Sequence, residues 1–268
     1  VDVPAASEKG ILVMNTPSAN TLSAAEHTCA MIMAVARKIP QAHESMHKGE
    51  WERSKFTGVE LNGKVLGVIG AGRVGGEVVK RMKAFNMSFI GYDPFLPKKI
   101  AEELGIKLVD TVEEVIKVAD FMTIHTPLLP STKDMISTEQ FKMMKPTARL
   151  VNVARGGIVN EDALYQALKD NVIAGAAFDV WCNEPLDDNE KKLLELDNLI
   201  TTPHLGASTE EAQKRVAIEV AEAAIKYLKD GVITNAINAP RGNLDNFTAP
   251  YVSLAKKLGS MSRQITDA

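Results

Sequence analysis

Three residues in the second half of the chain have the side chains that a site for oxidising a hydroxyl group requires. Arg155 lies in the segment NVARGG, Glu184 in FDVWCNEP and His204 in TPHLGAST. An imidazole can take a hydroxyl proton, a nearby carboxylate can orient it and favour its charged form, and a guanidinium can bind a planar carboxylate through two donors. The trio is suited to moving a hydride from a hydroxyl-bearing carbon that adjoins a carboxylate.

A hydride needs an acceptor, and a glycine-rich segment earlier in the chain predicts where one binds. Gly70, Gly72 and Gly75 follow the apolar run 65–69 and open a helical pattern, and Asp93 ends the next strand-like run. Glycines at these positions permit a tight turn and a close approach of backbone amides to a pyrophosphate. Asp93 can accept the ribose hydroxyls and would repel a 2′-phosphate, so the pattern predicts NAD in preference to NADP.

Each of these features also has an ordinary structural explanation. A lone GxGxxG motif is as often a simple turn as a dinucleotide site, and a lone histidine such as His204 is more often a cap or a core residue than a catalyst. Glu184 taken singly is a solvated loop carboxylate, and Arg155 a cation that stabilises a turn. The functional interpretation gains weight because each residue follows a predicted strand, where open α/β sheets bind their ligands.

The apolar runs predict the elements that position these residues. Seven short β-rich runs alternate with segments of helical length and helical apolar spacing, which indicates an α/β fold: a doubly wound parallel sheet of the Rossmann type with helices on both faces. The predicted strands cover residues 11–14, 65–69, 89–92, 121–125, 149–153, 175–180 and 198–202.

The pattern also predicts two parts of unequal size. Residues 1–206 are expected to form an NAD-binding domain, and residues 207–268 a bridging helix followed by a return segment. Within the second part, apolar spacing predicts a long helix over 208–229 and a short amphipathic helix over 251–258, with a loop-like stretch at 234–243 between them.

Composition narrows the class of ligand. The 268 residues are 45% hydrophobic and 24% charged with a net charge of −3, as in ordinary globular proteins, and this gives no basic field for nucleic acid or an anionic membrane. The apolar run 28–36 is too short to span a bilayer. Only Cys29 and Cys182 occur, so we expect a reduced, cytoplasmic protein. Because the net charge gives no basic field, we expect a small-molecule ligand. We expect no metal site.

Four segments resemble the D-isomer-specific 2-hydroxyacid dehydrogenase family: NVARGGIV, HTPLLPST, PHLGAST and NAINAP. The likeness extends from about residue 1 to residue 240. By this resemblance His204 is the general acid/base, Glu184 holds and polarises it, and Arg155 binds the substrate carboxylate or carbonyl oxygen. The resemblance also implies cofactor contacts, which are Gly70, Gly72, Arg73, Val74 and Gly75 at the pyrophosphate turn, Asp93 at the adenosine ribose, Thr126 and Pro127 in a cofactor loop, and Val153, Ala154, Asp179, His204, Gly206 and Ala207 at the nicotinamide end.

The resemblance implies oxidation of a D-2-hydroxy acid, with 3-phosphoglycerate as the leading substrate. Another acid, such as glycerate or hydroxypyruvate, stays open, and so does an NAD-sensing regulatory protein of the same fold. The family ordinarily has an N-terminal substrate lobe and often a C-terminal regulatory region, and the resemblance implies that both are absent here. By the same resemblance, residues 207–268 are the bridging helix and return segment of the largely missing substrate lobe.

The resemblance also implies a homodimer formed by residues 18–51, or a higher homo-oligomer. In that segment Met31, Ile32 and Val35 need burial against something. The alternative is that they pack in the core of their own chain, and Trp51 would approach a partner's site only in the dimer.

Overall fold

The computed structural model describes residues 1–239 and 249–266, and strands alternate with helices through most of this length. The strands are β1 Val65–Ile69, β2 Ser88–Tyr92, β3 Ile106–Leu108, β4 Phe121–Ile124, β5 Arg149–Asn152, β6 Gly175–Phe178 and β7 Leu199–Thr201. The α-helices are α1 Val3–Glu8, α2 Thr21–Arg37, α3 Ile39–His47, α4 Arg73–Met82, α5 Lys98–Leu104, α6 Val112–Val118, α7 Thr138–Met143, α8 Glu161–Lys169, α9 Asp188–Lys191, α10 Glu210–Asp230 and α11 Ala249–Thr266.

The seven strands form one parallel sheet in the order β3-β2-β1-β4-β5-β6-β7. The chain moves outward from β1 to β3, crosses back to β4 beside β1, and then continues to β7. At this reversal the connections leave β1 and β4 in opposite directions, which opens a crevice at the carboxyl ends of the strands. The doubly wound parallel sheet expected from the sequence is confirmed.

Alternate residues of the strands supply two separate cores, one on each face of the sheet. Leu66, Val151 and Ala177 pack with apolar side chains of α2, α4 and α5. Their strand neighbours Leu150 and Ala176 pack on the opposite face with side chains of α6, α7 and α8. Both faces are apolar because both are covered, which fits the nearly continuous apolar strands in the sequence.

The structure corrects two of the predicted elements and adds a strand that was not predicted. Residues 11–14 form no strand, and Met14 makes only an isolated antiparallel bridge with Ala236. The strand β3 was missed because it has three residues and an exposed Lys107 at its centre. The predicted helix 251–258 is part of the longer α11. The expected helix 208–229 matches α10 closely, and residues 240–243 of the predicted loop lie outside the described residues.

The chain divides into two compact units, residues 18–215 and residues 1–17 together with 216–268. The sheet, its helices and all the predicted site residues belong to the first unit. Within the second unit, residues 1–17 contact the C-terminal segment through backbone hydrogen bonds such as that from Ile237 N to Val13 O.

The apolar face of α2 is buried within its own chain. Met31, Ile32 and Val35 are 3%, 0% and 6% exposed and belong to the core beneath β5 and β6. Their need for burial therefore does not argue for a dimer, and the alternative of packing in the chain's own core is correct for these three residues. No helix within residues 1–239 and 249–266 has both the length and the apolar character to cross a membrane.

Candidate active site and cofactor loop

The loop after β1 is shaped by three glycines with different roles. Gly70 has a φ of +85°, which side chains rarely adopt, and a Cβ there would lie 2.9 Å from the carbonyl oxygen of His125. A Cβ on Gly75 would lie 2.2 Å from the Gly70 carbonyl oxygen, so α4 can pack against the turn only with glycine there. At Gly72, by contrast, no atom of the described residues other than its chain neighbours lies within 4 Å of the Cβ position, and its backbone is open to a ligand.

Asp93 fastens this glycine loop to the end of β2. Its Oδ2 accepts a hydrogen bond from Ala71 N at 2.9 Å, and its Oδ1 accepts one from Phe95 N at 2.9 Å. Each carboxylate oxygen can accept a further hydrogen bond. The half-buried carboxylate therefore places a negative charge beside the loop, where it can accept ribose hydroxyls.

Thr126 supplies a buried hydroxyl group at the point where the sheet order reverses. Its Oγ1 has no hydrogen-bond partner among the described residues, although the atom is buried. Leaving such a group unpaired costs about 1–3 kcal/mol. Together with the open backbone at Gly72 and the amino end of α4, this hydroxyl fits a dinucleotide whose pyrophosphate lies against the glycine loop.

His125, one residue before Thr126, adds no positive charge to this region. Its Nε2 lies 3.0 Å from the Thr123 hydroxyl oxygen. Burial lowers the pKa of His125 to about 4, so the ring is neutral at pH 7 and the local electrostatics come from backbone amides and Asp93.

The turn after β5 holds Arg155 at the exposed edge of the sheet. The buried Asn152 donates from Nδ2 to the Arg155 carbonyl oxygen at 3.0 Å and accepts from Ala154 N at 3.1 Å. A Cβ on Gly156 would lie 1.9 Å from the carbonyl oxygen of Trp181, so this turn packs directly on the segment after β6. The exposed guanidinium of Arg155 donates to the Ala154 carbonyl at 2.6 Å and has further donors for a ligand.

Glu184 and His204 form the expected pair of carboxylate and imidazole. His204 Nδ1 lies 2.7 Å from Glu184 Oε2, and the second oxygen, Oε1, accepts a hydrogen bond from Trp181 N at 3.0 Å. The side chain of His204 is 47% exposed and that of Glu184 is 37% exposed, so the pair faces the open edge. With Nδ1 directed at the carboxylate, Nε2 is the ring nitrogen that can exchange a proton with a ligand.

Asp179 holds the backbone on which His204 stands. Its carbonyl oxygen accepts from His204 N at 2.8 Å, while Oδ1 accepts from Leu205 N at 2.7 Å and Oδ2 from Gly206 N at 2.8 Å. Three successive amides are thus bound by one fully buried residue. They stabilise His204 in a left-handed conformation with a φ of +56°, which is uncommon for a residue with a side chain.

The Asp179 carboxylate is ionised although it is buried. Burial alone would raise its pKa, but hydrogen bonds from His27, Thr202 and Leu205 N hold the pKa of Asp179 below its ordinary value. His27 Nε2 lies 3.1 Å from Oδ1. Both carboxylate oxygens therefore have protein donors, and the contact with nicotinamide implied by the resemblance stays a prediction.

All the predicted site residues lie at the carboxyl edge of the sheet, in two groups. The first group follows β1, β2 and β4 and comprises Gly70, Gly72, Arg73, Val74, Gly75, Asp93, Thr126 and Pro127. The second group follows β5, β6 and β7 and comprises Val153, Ala154, Arg155, Asp179, Glu184, His204, Gly206 and Ala207. Within the second group, a Cβ on Gly206 would lie 3.3 Å both from Asp179 Oδ2 and from Val153 Cγ1, which shows how closely these three residues pack.

Sequence reasoning missed the residues that support the site. Asn152 and His27 were not singled out. Asn152 is a polar residue in an apolar run, the signal that marks a buried hydrogen-bonding group, whereas His27 stands between Glu26 and Thr28 and gave no such signal. Glu161 and Glu190, which bind the segment that precedes Glu184, stand in ordinary helical sequence and gave no signal.

Comparison with known proteins identifies the family. The profile of the D-isomer specific 2-hydroxyacid dehydrogenases, NAD binding domain, matches residues 29–206. The chain belongs to the D-isomer-specific 2-hydroxyacid dehydrogenase family. Its cofactor is NAD, and the family's NAD-binding domain accounts for the sheet, the glycine loop and the crevice at their edge.

Individual members of the family are similar over nearly the whole chain. D-3-phosphoglycerate dehydrogenase from Methanocaldococcus jannaschii is 51% identical, over 100% of this chain and 51% of the relative. The human D-3-phosphoglycerate dehydrogenase is 48% identical, over 98% of this chain and 49% of the relative. The chain thus spans about half the length of these relatives.

A solved structure of the family shows the same fold. D-lactate dehydrogenase from Aquifex aeolicus, complexed with NAD and lactic acid, superposes with a TM-score of 0.81 at 30% identity. The match covers 90% of this chain and 77% of that protein.

Proposed function

We propose that this chain is the NAD-binding part of an enzyme that oxidises D-3-phosphoglycerate to 3-phosphohydroxypyruvate. The observation that carries the reaction type is the contact of 2.7 Å between Glu184 and His204 at the edge of a dinucleotide-binding sheet. The substrate is supported by the identity of 51% and 48% with two D-3-phosphoglycerate dehydrogenases.

The residues of the site divide the reaction between them. NAD held at the glycine loop would supply the acceptor for the hydride that leaves C2 of the substrate. His204 Nε2 takes the hydroxyl proton, and the Glu184 carboxylate stabilises the imidazolium that results. Arg155 binds the substrate carboxylate through two donors and thereby orients C2. In the reverse direction, protonated His204 returns its proton to the ketone oxygen.

The remaining groups set the cofactor and the way in which it lies. Asp93 accepts the adenosine ribose hydroxyls and disfavours NADP, and Thr126 gives its buried hydroxyl to the dinucleotide. In this proposal residues 1–206 serve as the NAD-binding domain, and residues 207–268 serve as the bridging helix and return segment of a substrate lobe.

We propose a homodimer, a cytoplasmic location and a role in serine biosynthesis as further parts of this function. The dimer is supported by apolar side chains on and after α2 that are exposed within their own unit. Met33, Ile39, Met46 and Trp51 are 38%, 52%, 53% and 76% exposed. Sedimentation that shows a monomer at micromolar concentrations would remove the dimer from the proposal.

The first experiment pairs calorimetric binding of NADH to this chain with an assay of NAD reduction by 3-phosphoglycerate. Binding is expected because the cofactor loop is complete in the described residues. Binding without turnover would assign the chemistry to a protein with a further lobe, and the assay would then be repeated on the chain joined to the substrate lobe of the Methanocaldococcus jannaschii relative. Turnover of glycerate but not of 3-phosphoglycerate would replace the proposed substrate. Absence of NADH binding would overturn the cofactor role of this chain.

A further inference from the structure

Three successive backbone amides leading to Glu184 are each bound by a different glutamate. Trp181 N donates to Glu184 Oε1 at 3.0 Å, Cys182 N to Glu161 Oε1 at 2.8 Å, and Asn183 N to Glu190 Oε1 at 2.9 Å. The segment 181–184 is therefore held in part by Glu161 and Glu190, two carboxyl groups that take no part in the proposed reaction.

These two carboxyl groups lie against one another. Glu161 begins α8, Glu190 lies in α9, and an oxygen of each lies within 4.8 Å of the other and of the Cys182 sulfur. Glu190 is 6% exposed, and its second oxygen accepts from Asp187 N at 2.9 Å. Two carboxylates this close and this poorly solvated cannot both ionise without a large cost, whereas one shared proton turns the repulsion into a hydrogen bond.

We propose that Glu161 and Glu190 share one proton and act as a positioning pair, which holds the segment 181–184 and so keeps Glu184 in contact with His204. Glu190 is the ionised member, because two backbone amides and the Asn183 side chain donate to it. Glu161 is the protonated member, since its donors are fewer and weaker: one backbone amide and the Cys182 thiol. When the shared proton is lost, both carboxyl groups are negatively charged, and the repulsion between them loosens the segment 181–184.

The charged groups around the pair do not remove this repulsion. Lys192 pairs with Asp162 at 2.7 Å, and Lys191 pairs with Asp188 at 2.7 Å. The other titratable groups that face the pair are acidic or neutral. Asp134 accepts a hydrogen bond from Asn160, and Asp187 accepts hydrogen bonds from Glu190 N and the Asn183 side chain. The Cys182 thiol is neutral, because burial raises its pKa to about 12. Within the described residues, the cations near the pair are thus engaged with other carboxylates.

The proton is lost near neutral pH. Burial is the larger cause and Glu190 the next, and together they raise the pKa of Glu161 from 4.5 to about 7. Because the folded pKa exceeds the unfolded one, this group's contribution to stability is fully present below about pH 4.5 and is lost as the pH rises through about 7.

A carbon-13 titration of the glutamate carboxyls in this chain tests the pair directly and needs no enzymatic activity. Glu161→Gln identifies the resonance, because that signal alone is lost in the variant. A midpoint near 7 is expected for Glu161. A midpoint at the ordinary value of 4.5 would overturn the proposal.

The second measurement is amide hydrogen exchange of Cys182 and Asn183 from about pH 5 to about pH 8. In the wild-type chain, exchange is expected to accelerate with pH more steeply than the tenfold per unit that base catalysis alone gives. Glu161→Gln keeps an acceptor and a neutral side chain, so its amides should show only the tenfold slope. Glu195→Gln, at an exposed glutamate, is the matched control and should behave as the wild type. Equal slopes in the wild type and Glu161→Gln would contradict the shared proton.

The effect on turnover rests on the proposed function. It is measured in a two-lobed version of the protein, in which the chain is joined to the substrate lobe of the Methanocaldococcus jannaschii relative. Wild-type kcat is expected to decline as the pH rises above about 7, and Glu161→Gln should shift that decline to higher pH while leaving kcat at low pH unchanged. An unshifted profile would show that the pair does not act on Glu184. Absence of turnover in every variant, alongside the expected titration of Glu161, would count against the proposed function and leave the carboxyl pair intact.

Discussion

Glu184 Oε2 and His204 Nδ1 lie 2.7 Å apart, and each residue is held in place by a different set of backbone hydrogen bonds. Glu184 is anchored through its own Oε1 to Trp181 N, and His204 through three amides that Asp179 binds. The pair joins the segments that follow β6 and β7, so its geometry depends on the packing of two neighbouring strands. Such support from surrounding residues keeps a catalytic pair in its productive arrangement.

His204→Asn is expected to reduce turnover while leaving the cofactor site intact. Asparagine tolerates the left-handed backbone at this position and lacks a group that takes a proton. In a two-lobed version of the protein, kcat should fall by about 10²–10⁴, the usual contribution of a general acid/base. NADH affinity, measured by calorimetry on the same variant, should stay within about twofold. A parallel loss of NADH binding would show that His204 has a structural role.

Thr126→Val is expected to move stability and cofactor affinity in opposite directions. Valine has the same shape without the unpaired hydroxyl, so the melting temperature without cofactor should equal or exceed that of the wild type. NADH affinity should fall by about 3–10-fold, the value of one lost hydrogen bond. Thermal unfolding and calorimetry on one preparation measure both. An unchanged affinity would exclude Thr126 from the dinucleotide site.

Asp93→Ala is expected to weaken NADH binding by about tenfold or more and to reduce the discrimination against NADPH. The variant removes the negative charge that we propose for the ribose contact, and it also frees Ala71 N and Phe95 N, which fix the glycine loop. The ratio of the dissociation constants for NADPH and NADH measures this discrimination. Asp110→Ala, at an exposed aspartate, is the matched control. A preference equal to that of the wild type would remove Asp93 from the ribose site.

Asp179→Asn is expected to lower the free energy of unfolding by about 2–3 kcal/mol at pH 7. The buried carboxylate binds two backbone amides, and the amide group of asparagine presents donors to at least one of them. The pKa of Asp179 is depressed in the folded state, so its contribution is present above its ordinary value of 3.8 and is lost as the pH falls through the folded value.

Urea unfolding at several pH values checks this prediction. The wild type should lose stability below about pH 4 more steeply than Asp179→Asn does. Curves that stay parallel down to low pH would show that the carboxylate is not the ionised anchor.

Much of the fold could be predicted because apolar strands covered on both faces leave a direct trace in the sequence. The central strands β1, β4 and β5 lie within the predicted runs, and the glycines after β1 marked the turn. The edge strand β3 could not be found, because three residues are too few to show a pattern and a strand at the edge is only partly buried. The run 11–14 misled for a related reason, since four apolar residues predict burial without specifying a sheet.

The sequence by itself determined which side chains stand at the carboxyl edge. The order of strands and loops places Arg155, Glu184 and His204 there, and the glycine spacing places the dinucleotide turn. Only the tertiary structure decided how they are held, because the supporting groups come from distant parts of the chain. His27 and Thr202 meet at Asp179, and Glu161 meets Glu190, through packing of helices against the sheet that no local pattern encodes. Local sequence specifies the well-covered central elements, whereas long-range packing specifies which polar groups share a hydrogen bond or a proton.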